Sequence, residues 1–384
     1  MAKQDRRQSP PAEERYAKEL KFLSLYDSHP KPDGWQLSPQ AVVDFICGSD
    51  GEKLTLKKGT KTPTGVPKSQ VLPEKFVGDR SVIERCVVTL AGERGLLLVG
   101  EPGTAKSMLS ELLSAAISGT SGLTIQGTAG TSEDHLRYSW NYALLLAEGP
   151  SEKSLVPSPI LTGMNQGHLV RVEEVTRCLP EVQDALISLL SERKLAVPEL
   201  PEKASGVYAQ AGFNVIATAN LRDRGVSEMS AALKRRFNFE VIHPIADHDR
   251  EVQLVKSQAE GALEATGVEF SVDEGVLEAL VTAFRDLREG RSVEGWAVEK
   301  PSTVMSTAEA VSVASAIARQ TAYFPSQRDP LSSVPGHLLG VVLKDDEHDR
   351  GRLMAYWDSV VKRRSEEGTR VWKRLFELRN ELDG

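Results

Sequence analysis

The sequence predicts an α/β fold that contains a five-stranded parallel sheet and is followed by an all-helical region. Between residues 76 and 243, short apolar runs alternate with segments of helical periodicity, which is typical of parallel strands joined by helical crossovers. After Pro244 the strand patterns stop and helical periodicity continues. The segment 96–109 adds a third observation, because its apolar run ends in a Gly/Pro-rich turn that leads directly into a helix.

The expected elements follow from these patterns in chain order. The candidate strands are 96–99, 123–126, 169–172, 214–219 and 237–242. The candidate helices in this region and beyond it are 106–118, 179–194, 227–235, 249–263, 272–288 and 302–322. Before the α/β region we expect one helix at 14–27 and a second that begins at Pro39, with Ser38 as its N-cap and Gly48 as its stop.

Changes in composition predict the domain boundaries. Residues 48–73 are rich in Gly, Pro and Lys and predict a linker that holds a small hairpin. We therefore expect a helical extension and linker at 1–73, an α/β domain at 74–245, a helical lid at 246–325 and a helical tail at 326–384. In the tail, Trp372, Leu375 and Phe376 have near-helical spacing, which predicts packing on their own domain or contact with a partner.

The bulk properties argue against several classes of protein. The 384 residues carry a net charge of −7, which disfavours a general nucleic-acid binder. No apolar run approaches the roughly 20 residues that a membrane helix needs, and the first residues lack the apolar core of a secretory signal. Cys47, Cys86 and Cys178 are widely spaced and predict free thiols in a reducing compartment. We therefore expect a cytoplasmic protein.

The stretch GEPGTAKS, Gly100 to Ser107, is close to the phosphate-binding pattern G-x-x-x-x-G-K-[S/T]. Lys106 is the expected phosphate cation and Ser107 the expected magnesium ligand. Ala105 replaces the second glycine, and we expect it to fit because the chain enters the helix there with near-helical torsions. An ordinary glycine-rich turn is the alternative. The predicted nucleotide contacts in this stretch are Gly100, Glu101, Pro102, Gly103, Thr104, Ala105, Lys106, Ser107 and Met108.

Two acids follow the candidate strand at 169–172, about 70 residues after the loop. An enzyme that cleaves a nucleotide needs acids on a neighbouring strand, one for magnesium and one for the attacking water. We assign Glu173 to magnesium, through water, and Glu174 to the catalytic base. Most such motifs have Asp in the first place, and the extra methylene of Glu173 predicts a looser metal geometry. The alternative is a pair of solvated glutamates at a strand end.

Three stretches, in this order, resemble the MoxR branch of the AAA+ ATPases. They are GEPGTAKS, VEEVTRCLPEVQDALISLLSERKLAVP, and FNVIATANL with the later AALKRRFNF. The branch commonly has alanine before the loop lysine, and Pro180 and Gln183 match its pattern after the acids. The resemblance covers roughly residues 74–325 and implies an AAA+ core with a helical lid.

The resemblance also implies roles for residues outside the loop. Asn220 matches sensor 1, which orients the attacking water, although simple capping of a strand is the alternative. Arg236 matches the arginine finger, which would act on the nucleotide of a neighbouring subunit, and Arg235 is the adjacent candidate. Val77 and Gly78 match the position that contacts adenine, but a plain turn before a helix explains this pair equally well.

One addition and one departure stand out against the family pattern. The connection between residues 126 and 169 resembles the helix-2 insert of the MoxR and magnesium-chelatase clade. Three aromatic residues of this insert alternate as they would in a strand: Tyr138, Trp140 and Tyr142. We expect them either to contact a client or to pack on their own domain. Val304 stands where the family's lid offers a sensor 2 arginine, which implies weak hydrolysis, slower lid closure or a mainly structural nucleotide.

The function that the resemblance implies is an ATP-hydrolysing motor or chaperone that uses ATP and Mg²⁺. It implies a ring, expected to be a homo-hexamer, because an arginine finger is useful only across an interface. It further implies a protein client and a partner with a von Willebrand factor A domain. The alternative is an assembly scaffold or switch that binds ATP with negligible hydrolysis.

Overall fold

A computed structural model describes residues 9–201, 205–220, 228–264, 273–324, 329–344 and 346–383 of the chain. The chain divides into two compact units, which consist of residues 1–101 with 105–242 and of residues 102–104 with 243–384. The N-terminal extension therefore belongs to the same unit as the α/β region, and the lid and tail segments belong together to the second unit.

The centre of the first unit is a five-stranded parallel sheet, as predicted. Its strands in chain order are β3 (Gly95–Gly100), β4 (Thr124–Gln126), β7 (Leu169–Glu173), β10 (Asn214–Asn220) and β11 (Phe237–Ile242). Their order across the sheet is β11-β3-β10-β7-β4. The register places Asn220 beside Gly100 and Gln126 beside Glu173, so the carboxyl ends of four strands meet at one edge.

Among the described residues, six further strands form three antiparallel hairpins. These are β1 (Lys53–Thr55) with β2 (Ser69–Val71), β5 (Tyr138–Trp140) with β6 (Leu155–Pro157), and β8 (Lys194–Ala196) with β9 (Gly206–Tyr208). The first confirms the hairpin expected in the Lys-rich linker. The second contains Tyr138 and Trp140, which pack against the core of their own unit. Tyr142 departs from the predicted strand because Asn141 caps a helix there, with its side chain accepting from Leu144 N at 3.3 Å.

The helices of the first unit surround the sheet. They are α1 (Ala12–Arg15), α2 (Ala17–Tyr26), α3 (Pro39–Cys47), α4 (Arg80–Leu90), α5 (Lys106–Ser118), α6 (Glu133–Leu136), α7 (Tyr142–Glu148), α8 (Pro159–Gln166), α9 (Pro180–Glu192) and α10 (Ala231–Lys234). Helix α3 begins and ends as predicted, since Ser38 Oγ accepts from Ala41 N at 3.2 Å and Gly48 has a φ of 80°. Helix α10 is shorter than the predicted 227–235, and the start of that prediction lies outside the described residues.

Two apolar clusters cover the two faces of the sheet. On one face, Leu96 and Leu98 pack with Leu109 of α5 and with Phe22 and Phe45 of the N-terminal helices. The second cluster covers the other face. It packs Leu186 of α9 against strand residues Leu97, Val99, Val170 and Val172. Burial of this apolar surface is the main term that stabilises the unit.

In the described part of the second unit the regular secondary structure is helical, apart from one isolated bridge between Arg291 and Ala297. Its helices are α11 (His248–Glu264), α12 (Glu274–Glu289), α13 (Thr307–Tyr323), α14 (Val334–Val342), α15 (Asp349–Tyr356), α16 (Lys362–Glu367) and α17 (Arg370–Glu377). Helix α13 begins five residues after the predicted start because Ser306 caps it, accepting from Glu309 N at 3.2 Å. Trp372, Leu375 and Phe376 pack on the core of their own unit. Among the described residues, none of the helices combines the length and the apolar composition that a membrane span requires.

Candidate nucleotide site

The predicted phosphate loop lies between β3 and α5, at the carboxyl edge of the sheet. Lys106 is only 7% exposed, and its Nζ donates to the carbonyl oxygens of Gly100 at 3.1 Å and Glu101 at 2.7 Å. The ammonium is thus held at the mouth of the loop. Gly103 has a φ of 74°, which favours glycine. Pro102, Gly103 and Thr104 form the turn of the loop.

Ala105 corrects one expectation. Its torsions are φ 61° and ψ 26°, the left-handed region, rather than the near-helical values that the sequence interpretation assumed. It is the residue that turns the loop into α5, and the helix begins at the next position. An L-residue in this region costs about 1–2 kcal/mol because its Cβ approaches the following carbonyl. Position 105 therefore has the torsions that make glycine the common residue there. With alanine at this position the backbone is strained.

Glu173 ends β7 and is 4% exposed. Its Oε2 accepts from Ser107 Oγ at 2.7 Å and from Thr218 Oγ1 at 2.8 Å. Its Oε1 accepts from Ser110 Oγ at 2.7 Å and from Arg171 Nη2 at 2.8 Å. Burial alone would raise the pKa of Glu173, but these hydrogen bonds and the charge of Arg171 outweigh it and hold the pKa below its usual value. The carboxylate is therefore ionised and fixed beside the Ser107 hydroxyl.

The side chain of Glu174 points away from that of Glu173. Its torsions are left-handed, at φ 53° and ψ 47°, so the chain turns immediately after β7. Its backbone N donates to Thr218 Oγ1 at 2.9 Å, and its Oε2 pairs with Arg177 Nε at 2.7 Å. The side chain is about one-third exposed. The two acids thus differ in environment, one buried against α5 and the other open to solvent and paired with an arginine.

Asn220 and Arg236 lie at opposite edges of the sheet. Asn220 is the last residue of β10, beside Gly100 at the start of the loop. Arg236 precedes β11, whose first residue aligns with Gly95, the start of β3. At about 3.3 Å per residue, Arg236 is roughly 20 Å from the loop edge, and its Nε donates to Ser191 Oγ at 2.6 Å. The structure therefore brings Asn220, but not Arg236, to the site within one chain.

Val77 and Gly78 lie in the segment that leads into α4, just before its N-cap Asp79. Phe76 is buried in the same cluster as Leu96 and Leu109. A Cβ at Gly78 would lie 2.6 Å from the Phe76 ring, so packing on that ring already accounts for glycine at this position. Contact of this pair with adenine stays a prediction.

Val304, at the expected sensor 2 position, lies in the second unit shortly before α13. It is 37% exposed and its side chain is aliphatic, so it offers no cation. Lys300, the nearest lysine before Val304 in the chain, is exposed.

Sequence reasoning missed three residues that complete the site: Arg171, Ser110 and Thr218. A signal for two of them was present. The run Leu-Val-Arg-Val-Glu places Arg171 on the same strand face as Glu173, and Ser107, Ser110, Ser114 and Ser118 have the spacing of one helix face.

The residues present fit a magnesium ion. Mg²⁺ prefers oxygen ligands and usually keeps several waters, with only one or two protein groups and substrate phosphates completing its shell. The Ser107 hydroxyl and the ionised Glu173 carboxylate supply such groups side by side. In the described ranges, no group of three or more His, Cys, Asp or Glu side chains is arranged to hold a metal ion.

Comparisons with known proteins identify similar proteins for both parts of the chain. Residues 95–237 match the AAA domain of the dynein-related subfamily, and residues 249–383 match the YehL-like AAA+ ATPase C-terminal domain. The chain is 45% identical to the uncharacterized protein YehL of Escherichia coli over 98% of both chains. It is 26% identical to an uncharacterized protein of Staphylococcus haemolyticus over 55% of this chain and 74% of that one.

Among solved structures, NtrX from Brucella abortus in complex with ADP shares 14% identity over 66% of this chain and 52% of that chain, with a TM-score of 0.43. At that overlap the likeness says nothing about ligand or activity. The two family matches and the full-length relative decide the family. The chain belongs to the YehL-like AAA+ ATPases, which confirms the AAA+ resemblance that its loop, acids and sheet predicted.

Proposed function

We propose that this protein hydrolyses ATP with Mg²⁺ as an AAA+ motor of MoxR type. The observation that carries the proposal is the meeting of Lys106, Ser107 and Glu173 at the loop, with Ser107 Oγ 2.7 Å from Glu173 Oε2. Lys106 and the backbone N–H groups of the loop would hold the phosphates. Ser107 and, through water, Glu173 would hold Mg²⁺, which when bound neutralises charge on the transferred phosphoryl group.

Glu174 and Asn220 are the residues that we propose for activation of the attacking water. Both lie at the carboxyl edge of the sheet, one after β7 and the other at the end of β10, which pair with each other. Glu174 would take the proton of the attacking water and Asn220 would orient that water. Arg177 pairs with Glu174 in the present arrangement, so this pair has to loosen before the base can act.

A ring, expected to be a homo-hexamer, is part of the proposal. Its support is the position of Arg236 at the edge of the sheet opposite the loop, from which it can serve only a nucleotide bound to another subunit. A protein client and a partner with a von Willebrand factor A domain rest on the MoxR resemblance alone.

The test is the variant Glu174→Gln. It should keep nucleotide binding, because the loop and Ser107 are untouched, and should lower the ATPase rate by about 10²–10⁴-fold, the usual contribution of a general base. Phosphate release and binding of a fluorescent nucleotide measure the two properties. Glu181→Gln, an exposed glutamate on α9, is the control and should change neither. A variant that hydrolyses ATP as fast as the wild type would remove Glu174 from the reaction.

One observation favours the second candidate, an ATP-dependent scaffold or switch. Val304 provides no sensor 2 cation, and weak hydrolysis would follow. If the wild type never exceeds Glu174→Gln in rate while both assemble with ATP, the scaffold replaces the motor as the function of this protein.

A further inference from the structure

Strand β7 carries a charged residue in its middle, although other strands of the sheet flank it on both sides. Val170 and Val172 face one apolar cluster, while Leu169, Arg171 and Glu173 share the opposite face, toward α5. The Arg171 side chain is 12% exposed. A buried guanidinium is costly unless it is paired and hydrogen-bonded, so its presence here needs a reason.

Helix α5 presents a polar stripe to this face. Its members are Ser107, Ser110, Ser114 and Ser118, all small enough to leave room for a long side chain beneath the helix. Ser118 Oγ accepts from the backbone N of Leu169 at 2.8 Å, which fixes the helix against the strand. Arg171 and Glu173 fill the space beside Ser107 and Ser110.

The Arg171 guanidinium uses all of its nitrogens. Nε donates to Ser110 Oγ at 2.9 Å, and Nη2 donates to Ser107 O at 3.0 Å and to Glu173 Oε1 at 2.8 Å. Nη1 donates to Ser121 O at 3.2 Å and Thr124 Oγ1 at 3.4 Å. A guanidinium has five N–H groups in a fixed plane, and five contacts leave it one orientation.

The two carboxylate oxygens of Glu173 therefore have different hydrogen-bond partners. Oε1 is held against α5 by Arg171 and Ser110, and Oε2 is left beside the Ser107 hydroxyl and Thr218. The extra methylene of glutamate lets the carboxylate span both sets of partners. We propose that Arg171 is a positioning residue for magnesium. It fixes Oε1 of Glu173 so that Oε2 faces the Ser107 hydroxyl, where Mg²⁺ would bind. This inference rests on the proposed Mg²⁺-ATP function.

The experiment measures the affinity for a fluorescent, non-hydrolysable ATP analogue as Mg²⁺ is titrated, and again in EDTA. In Arg171→Met, the Mg²⁺ concentration at half-saturation should rise about 10–100-fold, the usual effect of losing an outer partner of a metal ligand. The metal-free affinity should change less than about twofold, because backbone N–H groups and Lys106 bind the phosphates. Arg171→Lys keeps the charge without the fork and should fall between wild type and Arg171→Met.

Arg85→Met is the matched control. It also removes an Arg–Glu pair, since Arg85 Nη2 donates to Glu240 Oε2 at 3.0 Å, but on the exposed surface of α4 and β11. Arg85→Met should leave the Mg²⁺ concentration at half-saturation unchanged. If Arg171→Met does not fold, Arg171→Lys carries the test through its intermediate shift.

Two results would overturn the inference: an unchanged half-saturation in the Arg171 variants, or an equal fall of affinity with and without Mg²⁺, which indicates a purely structural role. A wild type that binds Mg²⁺ and nucleotide without cleaving it would instead overturn only the proposed hydrolysis.

Discussion

At the scale of single residues, the site depends on two left-handed backbone positions that are not glycine. In the described part of the chain the non-glycine residues with positive φ are Asp50, Ala105, Glu174 and Arg193. Ala105 turns the loop into α5 directly before Lys106, and Glu174 turns the chain away from β7 so that the two acids diverge. Such strain persists where the surrounding structure over-determines it, and it concentrates at functional sites.

We expect Ala105→Gly to raise the free energy of unfolding by about 1 kcal/mol, because glycine adopts the left-handed region without the Cβ clash. Urea unfolding followed by circular dichroism measures this change. Ala115→Gly, in the right-handed interior of the same helix, should instead lower it by about 1 kcal/mol. A loss of stability in Ala105→Gly would show that the alanine methyl makes a contact worth more than the strain.

At the scale of elements, the pairing of α5 with β7 builds the metal side of the site. The serine stripe of α5 bonds with the strand at both of its ends, through Ser107 with Glu173 and through Ser118 with Leu169 N. Ser114 Oγ, between them, is buried without a hydrogen-bond partner among the residues that the structure describes. In the serine stripe, the hydroxyl groups of Ser107 and Ser118 therefore stabilise the fold, whereas that of Ser114 does not.

This contrast gives a prediction of opposite signs. Ser114→Ala should raise the free energy of unfolding by about 1 kcal/mol, because a buried hydroxyl without a partner costs about 1–3 kcal/mol. Ser118→Ala should lower it by about 1–2 kcal/mol, because the Leu169 N–H loses its acceptor. Urea unfolding of both variants measures the signs, and two changes of equal sign would contradict the assignment.

In the second unit, a polar network joins α12 to α16. Arg364 bonds both oxygens of Glu294, at 2.9 and 2.7 Å, and also Asp286 Oδ2 at 2.7 Å. Tyr356 Oη donates to the same Asp286 oxygen at 2.9 Å. The hydrogen bonds from Arg364 lower the pKa of Glu294 to about 2, although partial burial opposes this. The network is satisfied, and the charge state of Glu294 is coupled to folding.

This coupling predicts a pH dependence. A carboxylate whose pKa is lowered by folding stabilises the native state above its unfolded pKa of about 4.3. That contribution declines as the pH falls toward about 2, the folded value. The gap in unfolding free energy between wild type and Glu294→Gln should thus be constant above about pH 5 and should close below it. Urea unfolding at a series of pH values measures the gap. Glu366→Gln, exposed on α16, is the control and should show no such change.

At the scale of the whole molecule, the residues of the proposed reaction are split between two edges of one sheet. Lys106, Glu174 and Asn220 lie at the carboxyl edge, and Arg236 lies at the amino edge. A single chain therefore cannot complete the site that the MoxR resemblance implies. The proposed assembly would join two different surfaces, one from each edge, and such an interface forms a ring when its rotation closes.

Mixing two inactive variants tests this arrangement. Glu174→Gln and Arg236→Ala should each lose most ATPase activity, but a mixture should regain some. An Arg236→Ala subunit retains Glu174, and a Glu174→Gln neighbour supplies Arg236, so about a quarter of the interfaces in an equal random mixture are complete. Phosphate release measured against each variant alone gives the result. A mixture no faster than the sum of its parts would mean that Arg236 does not act across an interface.

The sequence by itself determined the features that depend on local pattern. The strand runs at 96–99, 169–172 and 214–219, the cap at Ser38, and the order of loop and acids were all readable from it. Side-chain period, capping chemistry and turn residues act within a few positions, so one chain segment suffices to recognise them.

Tertiary structure alone decided how those segments complete each other. The pairing of Arg171 with Glu173 and Ser110 depends on the docking of α5 against β7, and the distance of Arg236 from the loop depends on the register of β11 with β3. The left-handed torsion of Ala105 likewise follows from fixing both β3 and α5 in place, which overrides the helical preference of alanine. The physical reason is that contacts between distant segments, rather than the local pattern, set these positions.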